Sequence, residues 1–126
     1  MYTDIFKDCP KLTSVTFGAN IRPMRSCSFA SDTALVSVTF RNMNHDNYSS
    51  LTSRFDFNNC ISLEKVTYPS EFKNYTDSIY FPAYAFRHCR KLTALENLPN
   101  NAAGIGVSYQ SFFHCESLDV TKYLNF

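Results

Sequence analysis

Tryptophan is absent from this sequence, glycine occurs only three times, and neither sign of charge is in clear excess. Twelve basic and eleven acidic residues give a formal net charge of +1, and no segment concentrates the basic residues. Proteins that bind nucleic acid usually carry a basic stripe, because contacts to phosphate supply much of their affinity. The charge pattern therefore argues against nucleic acid as a partner.

Long apolar runs and targeting signals are also missing. No stretch is long enough to cross a bilayer as a helix, so we expect no membrane span. The amino terminus, Met1–Ile5, lacks the basic start and apolar centre of a secretory signal. An extracellular, cell-surface or virion location stays open if this sequence is a mature fragment or is carried outside as part of a virion.

Motifs for catalysis and metal binding are lacking as well. The sequence has three histidines (His45, His88 and His114) and no Ser/His/Asp arrangement, paired carboxylates or phosphate-binding glycine loop. Gly104–Gly106 is too short to indicate more than a turn. The five cysteines include no pair at the spacing of a zinc site. We therefore expect no enzyme activity, no cofactor and no bound metal.

Aromatic residues are abundant and occur in a repeating pattern. The chain holds twelve Phe and eight Tyr, and five segments share the pattern Phe-x-x-Cys-x-x-Leu-x-x-Val-x-aromatic. Phe and Leu are present in every copy and Cys in four, with Asp32 replacing it in the second. The copies are Phe6–Phe17, Phe29–Phe40, Phe57–Tyr68, Phe86–Leu95 and Phe112–Tyr123. Repetition of this kind predicts a repeat architecture.

The pattern also predicts local structure. Phe, Cys and Leu spaced three apart favour one tight helical or 3₁₀ turn with its apolar side inward. Val15, Thr16 and Phe17 then alternate as a strand does. Such a unit cannot bury its apolar face alone, so we expect stacked repeats with a continuous core. The longer repeats carry inserts between strand and turn, near 42–53, 70–80 and 97–106.

This pattern, with a small residue before the Phe (Ser28, Ala85, Ser111), resembles the BspA-like, or treponemal-type, leucine-rich repeat. The segments Cys9–Val15 and Ala85–Thr93 carry the closest likeness. The resemblance implies an α/β repeat solenoid, curved, with parallel strands on the concave side and short turns or 3₁₀ helices opposite. It also implies a surface protein that binds host or matrix proteins.

The domain organisation follows from the same repeats. We expect residues 1–126 to form one solenoid of about five repeats. Neither end shows a polar capping segment, and an uncapped solenoid exposes apolar surface and a free strand edge. We therefore expect a piece of a longer solenoid, or a subunit whose ends associate with neighbouring subunits.

Cysteine and histidine both recur at fixed repeat positions. Cys9, Cys60, Cys89 and Cys115 are expected to be free thiols acting as small buried hydrophobes. Cys27 lies outside the pattern and is expected to differ in reactivity. His88 and His114 occupy a position held elsewhere by Asp8, Ser31 and Asn59, which indicates an exposed polar position rather than a catalytic base.

Two sets of residues are candidates for partner binding. One set is the outward positions of the predicted strands, although threonine also suits exposed strands for structural reasons alone. The other is the aromatic residues of the long insert, because tyrosine is common in interaction loops; Phe81 there is a candidate for the core. The candidates are Thr16, Thr39, Lys65, Thr67 and Glu96 on the strands, and Phe72, Tyr75, Tyr80 and Tyr84 in the insert.

The sequence also contains two candidate glycosylation sites. The triplets beginning at Asn47 and Asn74 fit glycosylation in a eukaryotic secretory host, and in an Asn-rich chain such triplets also arise by chance.

The sequence favours a protein-recognition module of the adhesion or host-attachment type. The alternative is a structural subunit or fragment packed into a larger assembly, such as a virion or a surface layer.

Overall fold

A ladder of parallel strands runs through the protein, one strand from each of the first four repeats. The structure is a computed structural model, and it describes residues 6–19, 27–43, 46, 48–100 and 103–123. In chain order the elements are β1 (Ser14–Phe17), β2 (Cys27–Ser28), β3 (Ser37–Phe40), α1 (Ser50–Ser53), β4 (Phe55–Asp56), β5 (Lys65–Thr67), a 3₁₀ helix (Ser70–Asn74), β6 (Ile79–Phe81), β7 (Ala94–Glu96), β8 (Ile105–Val107) and α2 (Val120–Tyr123).

The main sheet has the order β1-β3-β5-β7, with every neighbouring pair parallel. Its register aligns the repeats as the sequence pattern predicts. Val38, Val66 and Leu95 lie in one row and are fully buried, whereas the residues on either side of them are partly or fully exposed. Alternation along the strand, combined with in-register stacking, produces one apolar face and one outer face.

The segment Phe-x-x-Cys-x-x-Leu forms two consecutive tight turns rather than helix. In the third repeat the amide of Cys60 donates to the Phe57 carbonyl, and the amide of Leu63 donates to the Cys60 carbonyl. The residue between Phe57 and Cys60 that would continue a helix, Asn59, has a φ of 62°. A positive φ at this position reverses the chain, as in a type II turn, and ends any helical path.

The same left-handed backbone occurs at this position in all five repeats. The residues are Asp8, Ser31, Asn59, His88 and His114, with φ between 56° and 63°. Asn, Asp and His tolerate this region better than most side chains, which explains why the position is polar. The amide of Asn59 then donates to the Arg87 carbonyl of the next repeat at 2.8 Å, and that of His88 donates to the Phe113 carbonyl at 2.8 Å.

Phenylalanine rings form a continuous stack through the core. The repeat phenylalanines follow one another with centroid separations of 5.0, 5.3, 5.2 and 5.4 Å and nearly parallel planes, in the order Phe6, Phe29, Phe57, Phe86, Phe112. A second, shorter stack joins Phe17, Phe40 and Tyr68 at the ends of the strands. The predicted reuse of one aromatic position, repeat after repeat, is confirmed.

The inserts contain regular structure that the repeat pattern does not predict. Ser50–Ser53 is helical, Ser70–Asn74 is a 3₁₀ helix, and β6 pairs with β8 in a separate parallel sheet. The interpretation of Gly104–Gly106 as a turn is therefore wrong, since Ile105–Val107 is a strand. The lack of a side chain at Gly106 matters, because an added Cβ would lie 2.9 Å from the Tyr80 ring.

The fifth repeat departs from the others after its turn. Val120–Tyr123 is a short helix where the first four repeats have a strand. Asp119 explains the difference, because its carboxylate accepts hydrogen bonds from the amide and the hydroxyl of Thr121 at 3.1 and 2.6 Å. An aspartate in this position caps a helix, and these bonds hold the pKa of Asp119 below its ordinary value.

Candidate partner-binding surfaces

The outer face of the main sheet brings together the five strand residues predicted to bind a partner. Thr16, Thr39, Thr67 and Glu96 occupy one register row, and Lys65 lies in the neighbouring row with Ser14, Ser37 and Ala94. Thr16, Lys65 and Glu96 are exposed, while Thr39 and Thr67 are half-buried. We call these eight residues the ladder face. Its hydroxyls lie toward the first repeat and its charged groups toward the fourth.

The prediction that Phe72 and Tyr75 are surface anchors is wrong. Phe72 is 0% exposed and Tyr75 is 7% exposed. The 3₁₀ helix places the Phe72 ring 5.4 Å from Tyr68 and 5.5 Å from Tyr48. The insert turns back over the solenoid, and Phe72 and Tyr75 extend the core rather than project from a loop.

Tyr80 and Tyr84 do lie at the surface. Tyr80 projects from β6 between the buried Ile79 and Phe81, and it is 47% exposed. The expectation that Phe81 belongs to the core is thus confirmed. Tyr84 is 36% exposed and adopts a φ of 62°. A bulky residue in this backbone region is strained by about 1–3 kcal/mol, which the surrounding structure must offset.

Tyr84 belongs to a larger exposed cluster on the turn side of repeats four and five. Tyr109 is 66% exposed and contacts Tyr84 edge to face at 5.8 Å. Phe113 is 42% exposed, with its ring 4.1 Å from that of His114 and 5.8 Å from that of His88. We call the set Tyr84, Arg87, His88, Tyr109, Phe113 and His114 the aromatic patch, and Arg90, which follows Cys89 and bonds to the His88 carbonyl through its amide, lies at its border.

Sequence reasoning missed Tyr109 and Phe113, although a signal for Phe113 was available. Arg87 and Phe113 share the position after the repeat Phe, and His88 and His114 share the next position. Stacked repeats place equivalent positions side by side, so the alignment alone puts Phe113 beside Arg87 and His88 beside His114. The structure confirms the second pair, with the two imidazole rings stacked at 5.2 Å.

Cationic groups accompany these rings. The Arg87 guanidinium lies over the Tyr84 ring, 4.5 Å from its centroid, and its Nε–H donates to Asn58 Oδ1 at 3.0 Å. Burial lowers the pKa of His88, and the positive charges of Arg87 and Arg90 lower it further. His114 Nδ1 lies 3.5 Å from a carboxylate oxygen of Glu116, at the edge of the patch.

The family model for the BspA type leucine-rich repeat region matches residues 1–122 in six copies. The chain belongs to the BspA-type leucine-rich repeat family. The resemblance drawn from Phe, Cys and Leu is confirmed, and the family model finds one copy more than the five aligned by those residues. Searches of curated proteins and of solved structures gave no significant match.

Membership of this family supports a protein-interaction role for the scaffold. BspA-type leucine-rich repeats are typically non-enzymatic interaction modules and are often surface-associated. Within the described segments, no helix is long and apolar enough to cross a membrane. The described residues also include no group of three His, Cys, Asp or Glu side chains placed to hold a metal ion.

The cysteines of this repeat protein are free thiols, and they do more than fill space. Cys60 Sγ–H donates to the Phe29 carbonyl at 3.1 Å and Cys89 Sγ–H to the Phe57 carbonyl at 3.2 Å, so each thiol bonds to the preceding repeat.

Cys27 is fully buried on β2, and burial raises its pKa to about 11. Because the thiolate is the reactive form, Cys27 does not stand out as reactive. Cys9 and Cys115 are half-buried and are the more accessible thiols.

Two further surface features lie near the inserts. An open cleft of about 250 Å³ lies at the end of β7 and is lined by Lys73, Leu95, Asn97, Leu98, Asn100 and Lys122. Of the two predicted glycosylation triplets, the one at Asn74 has an exposed asparagine whose Nδ2 donates to Glu71 Oε2 at 3.1 Å. Asn47 lies outside the described residues.

Proposed function

We propose that this chain is a non-enzymatic protein-recognition module of the adhesion or host-attachment type, displayed on the surface of a cell or a particle. The observation that carries the proposal is the ladder face, where small hydroxyl side chains, Lys65 and Glu96 stand in register on four parallel strands. Strands fixed by backbone bonds and a stacked core hold this face ready, so little ordering entropy opposes binding.

The recognition half of the proposal is tested by surface plasmon resonance with the purified chain against a panel of extracellular-matrix and serum proteins. We expect saturable binding to at least one of them. Lys65→Glu should weaken that binding about tenfold, because it reverses the charge at the centre of the ladder face. Lys11→Glu, an exposed lysine on a turn, is the matched control and should change binding less than about twofold.

Two outcomes would contradict the recognition half. One is the absence of saturable binding to every protein of the panel. The other is an equal loss in both charge-reversal variants, which would indicate general electrostatic attraction rather than a site on the ladder face.

The surface-display half needs a separate measurement. Antibodies raised against the purified chain should label intact producing cells or particles, and brief treatment of the intact surface with protease should remove the label. Labelling that requires permeabilisation would contradict surface display without affecting the binding result.

A further inference from the structure

We infer that the aromatic patch is a second binding surface, and that its occupant is an acidic segment of a protein partner that also carries aromatic side chains. This inference rests on the proposed protein-recognition function and deepens it. The ladder face is polar and lies on the strands, whereas the aromatic patch lies on the turns of repeats four and five. The two surfaces therefore differ both in chemistry and in the elements that carry them.

The distribution of exposed apolar surface points to this region. Seven large apolar or aromatic side chains are exposed among the described residues, and three of them, Tyr84, Tyr109 and Phe113, belong to the aromatic patch. Tyr80 and Val107 lie outside it, on β6 and β8. The first three repeats contribute only Val36 and Ile61. Scattered exposed hydrophobes are ordinary, but a local concentration of rings with a polar border is typical of an interaction site.

The rings of the aromatic patch are held in place before any partner arrives. The amide of Tyr84 donates to the Tyr109 carbonyl at 3.1 Å, and the amide of His88 donates to the Phe113 carbonyl at 2.8 Å. Edge-to-face contacts join Tyr84 to Tyr109 and Phe113 to His88. Rigid aromatic side chains lose little entropy on binding, which is why they serve as anchors.

The backbone at Tyr84 supplies independent support. Its φ of 62° lies where glycine and asparagine are favoured and a large ring is disfavoured. Gln110 holds the equivalent turn position in the next repeat, with a φ of 53°. A strained tyrosine at a turn that accepts other residues indicates that its ring is kept for a contact rather than for folding.

The charged residues around the aromatic patch indicate the kind of partner that it binds. The Arg87 guanidinium lies over the Tyr84 ring, and the Arg90 amide donates to the His88 carbonyl at 2.9 Å, so two positively charged residues lie at the aromatic patch. Within the described residues the Arg87 side chain donates one hydrogen bond, from Nε–H to Asn58 Oδ1, and its charge also acts on the Asp56 carboxyl. Arg90 is exposed and can accept a carboxylate of a partner. Glu116 adds one negative charge, beside His114. The patch therefore complements an acidic segment, and its exposed ring faces suit aromatic side chains on that segment.

The test uses a fluorescently labelled peptide of alternating glutamate and tyrosine as the probe, with fluorescence anisotropy as the readout. A lysine–tyrosine peptide of the same length is the control for aromatic binding alone. We expect saturable binding of the glutamate–tyrosine peptide and at least about tenfold weaker binding of the lysine–tyrosine peptide. Equal binding of the two peptides, or no binding of either, would overturn the inference.

Variants then locate the site. Tyr109→Ala and Arg90→Glu should each weaken binding of the glutamate–tyrosine peptide about tenfold. The matched controls are Tyr80→Ala and Arg41→Glu, an exposed tyrosine and an exposed arginine elsewhere on the chain, and each should change binding less than about twofold. Tyr109 and Arg90 are exposed, so circular dichroism should show all four variants folded. Losses as large in the controls as in the patch variants would overturn the assignment.

Failure of this inference can be told apart from failure of the proposed function. Peptide binding that is absent, or insensitive to Tyr109→Ala and Arg90→Glu, overturns the role of the patch while binding of panel proteins through Lys65 still stands. Absence of binding to every panel protein contradicts the proposed function itself, whatever the peptide does.

Discussion

At the scale of single residues, Asp32 shows what happens when one repeat lacks its cysteine. The Asp32 side chain is fully buried, and its Oδ1 accepts the Cys9 amide at 2.8 Å. Its Oδ2 has no hydrogen-bond partner among the described residues. In the next repeat Cys60 donates to a carbonyl of the preceding repeat. A donor has thus been replaced by an acceptor in an apolar interior, and burial raises the pKa of Asp32.

This raised pKa makes stability depend on pH in a definite direction. The folded chain binds the Asp32 proton more tightly than the unfolded chain, so the free energy of unfolding should fall as pH rises from about 3.8 through the folded pKa, and then level off. Asp32→Asn keeps the acceptor for the Cys9 amide and cannot ionise, so its stability should fall less over this range. The pKa of Asp56 is also raised by burial, and this contribution is common to both proteins.

Urea unfolding at about pH 4 and about pH 7 measures the difference. Relative to the parent chain, Asp32→Asn should gain stability at the higher pH. The same pH dependence in both chains would show that Asp32 ionises in the folded state as it does in the unfolded state.

At the scale of elements, the left-handed turn residue decides the shape of each repeat. Asn59→Val should lower the free energy of unfolding by about 1–2 kcal/mol, because a β-branched side chain is disfavoured at a φ of 62°. Asn59→Gly places a residue suited to this backbone and should leave stability within about 0.5 kcal/mol. Urea unfolding compares the two variants. Equal stability of the valine and glycine variants would contradict the proposed role of the backbone at this turn.

The 3₁₀ helix gives a second prediction at this scale. Phe72→Ala should lower the free energy of unfolding by about 3–5 kcal/mol, because it empties a site between the Tyr48 and Tyr68 rings. Tyr80→Ala removes an exposed ring from the same insert and should cost less than about 1 kcal/mol. Chemical denaturation of both variants checks the ranking. Similar losses would mean that the insert does not cover the core.

The elements also show where sequence reasoning succeeds and where it stops. The register of Val38, Val66 and Leu95 follows from the repeat, because stacked repeats align equivalent positions. The burial of Phe72 does not follow from the repeat, because it depends on how an irregular insert folds back over neighbouring turns. The helix at Val120–Tyr123 can be predicted from the sequence only in part. Asp119 is recognisable as a helix N-cap, but only once the strand pattern of the other repeats is seen to break at this position.

At the scale of the whole molecule, each repeat contacts the next through a small set of recurring links. A turn amide donates to the next repeat, a thiol donates to the preceding one, and a phenylalanine ring stacks on its equivalents. Such nearest-neighbour coupling is how a solenoid gains stability that no single repeat has. Both proposed binding surfaces depend on this stack, since it sets the spacing of the residues they present.

The most direct test of the account is a nuclear Overhauser measurement between phenylalanine rings in a selectively labelled chain. Stacking at 5.2–5.3 Å predicts cross-peaks from Phe57 to both Phe29 and Phe86, and the substitution Phe57→Leu should remove both sets. Absence of cross-peaks between these rings in a folded sample, with each ring instead close to residues of its own repeat, would contradict the shared aromatic interior.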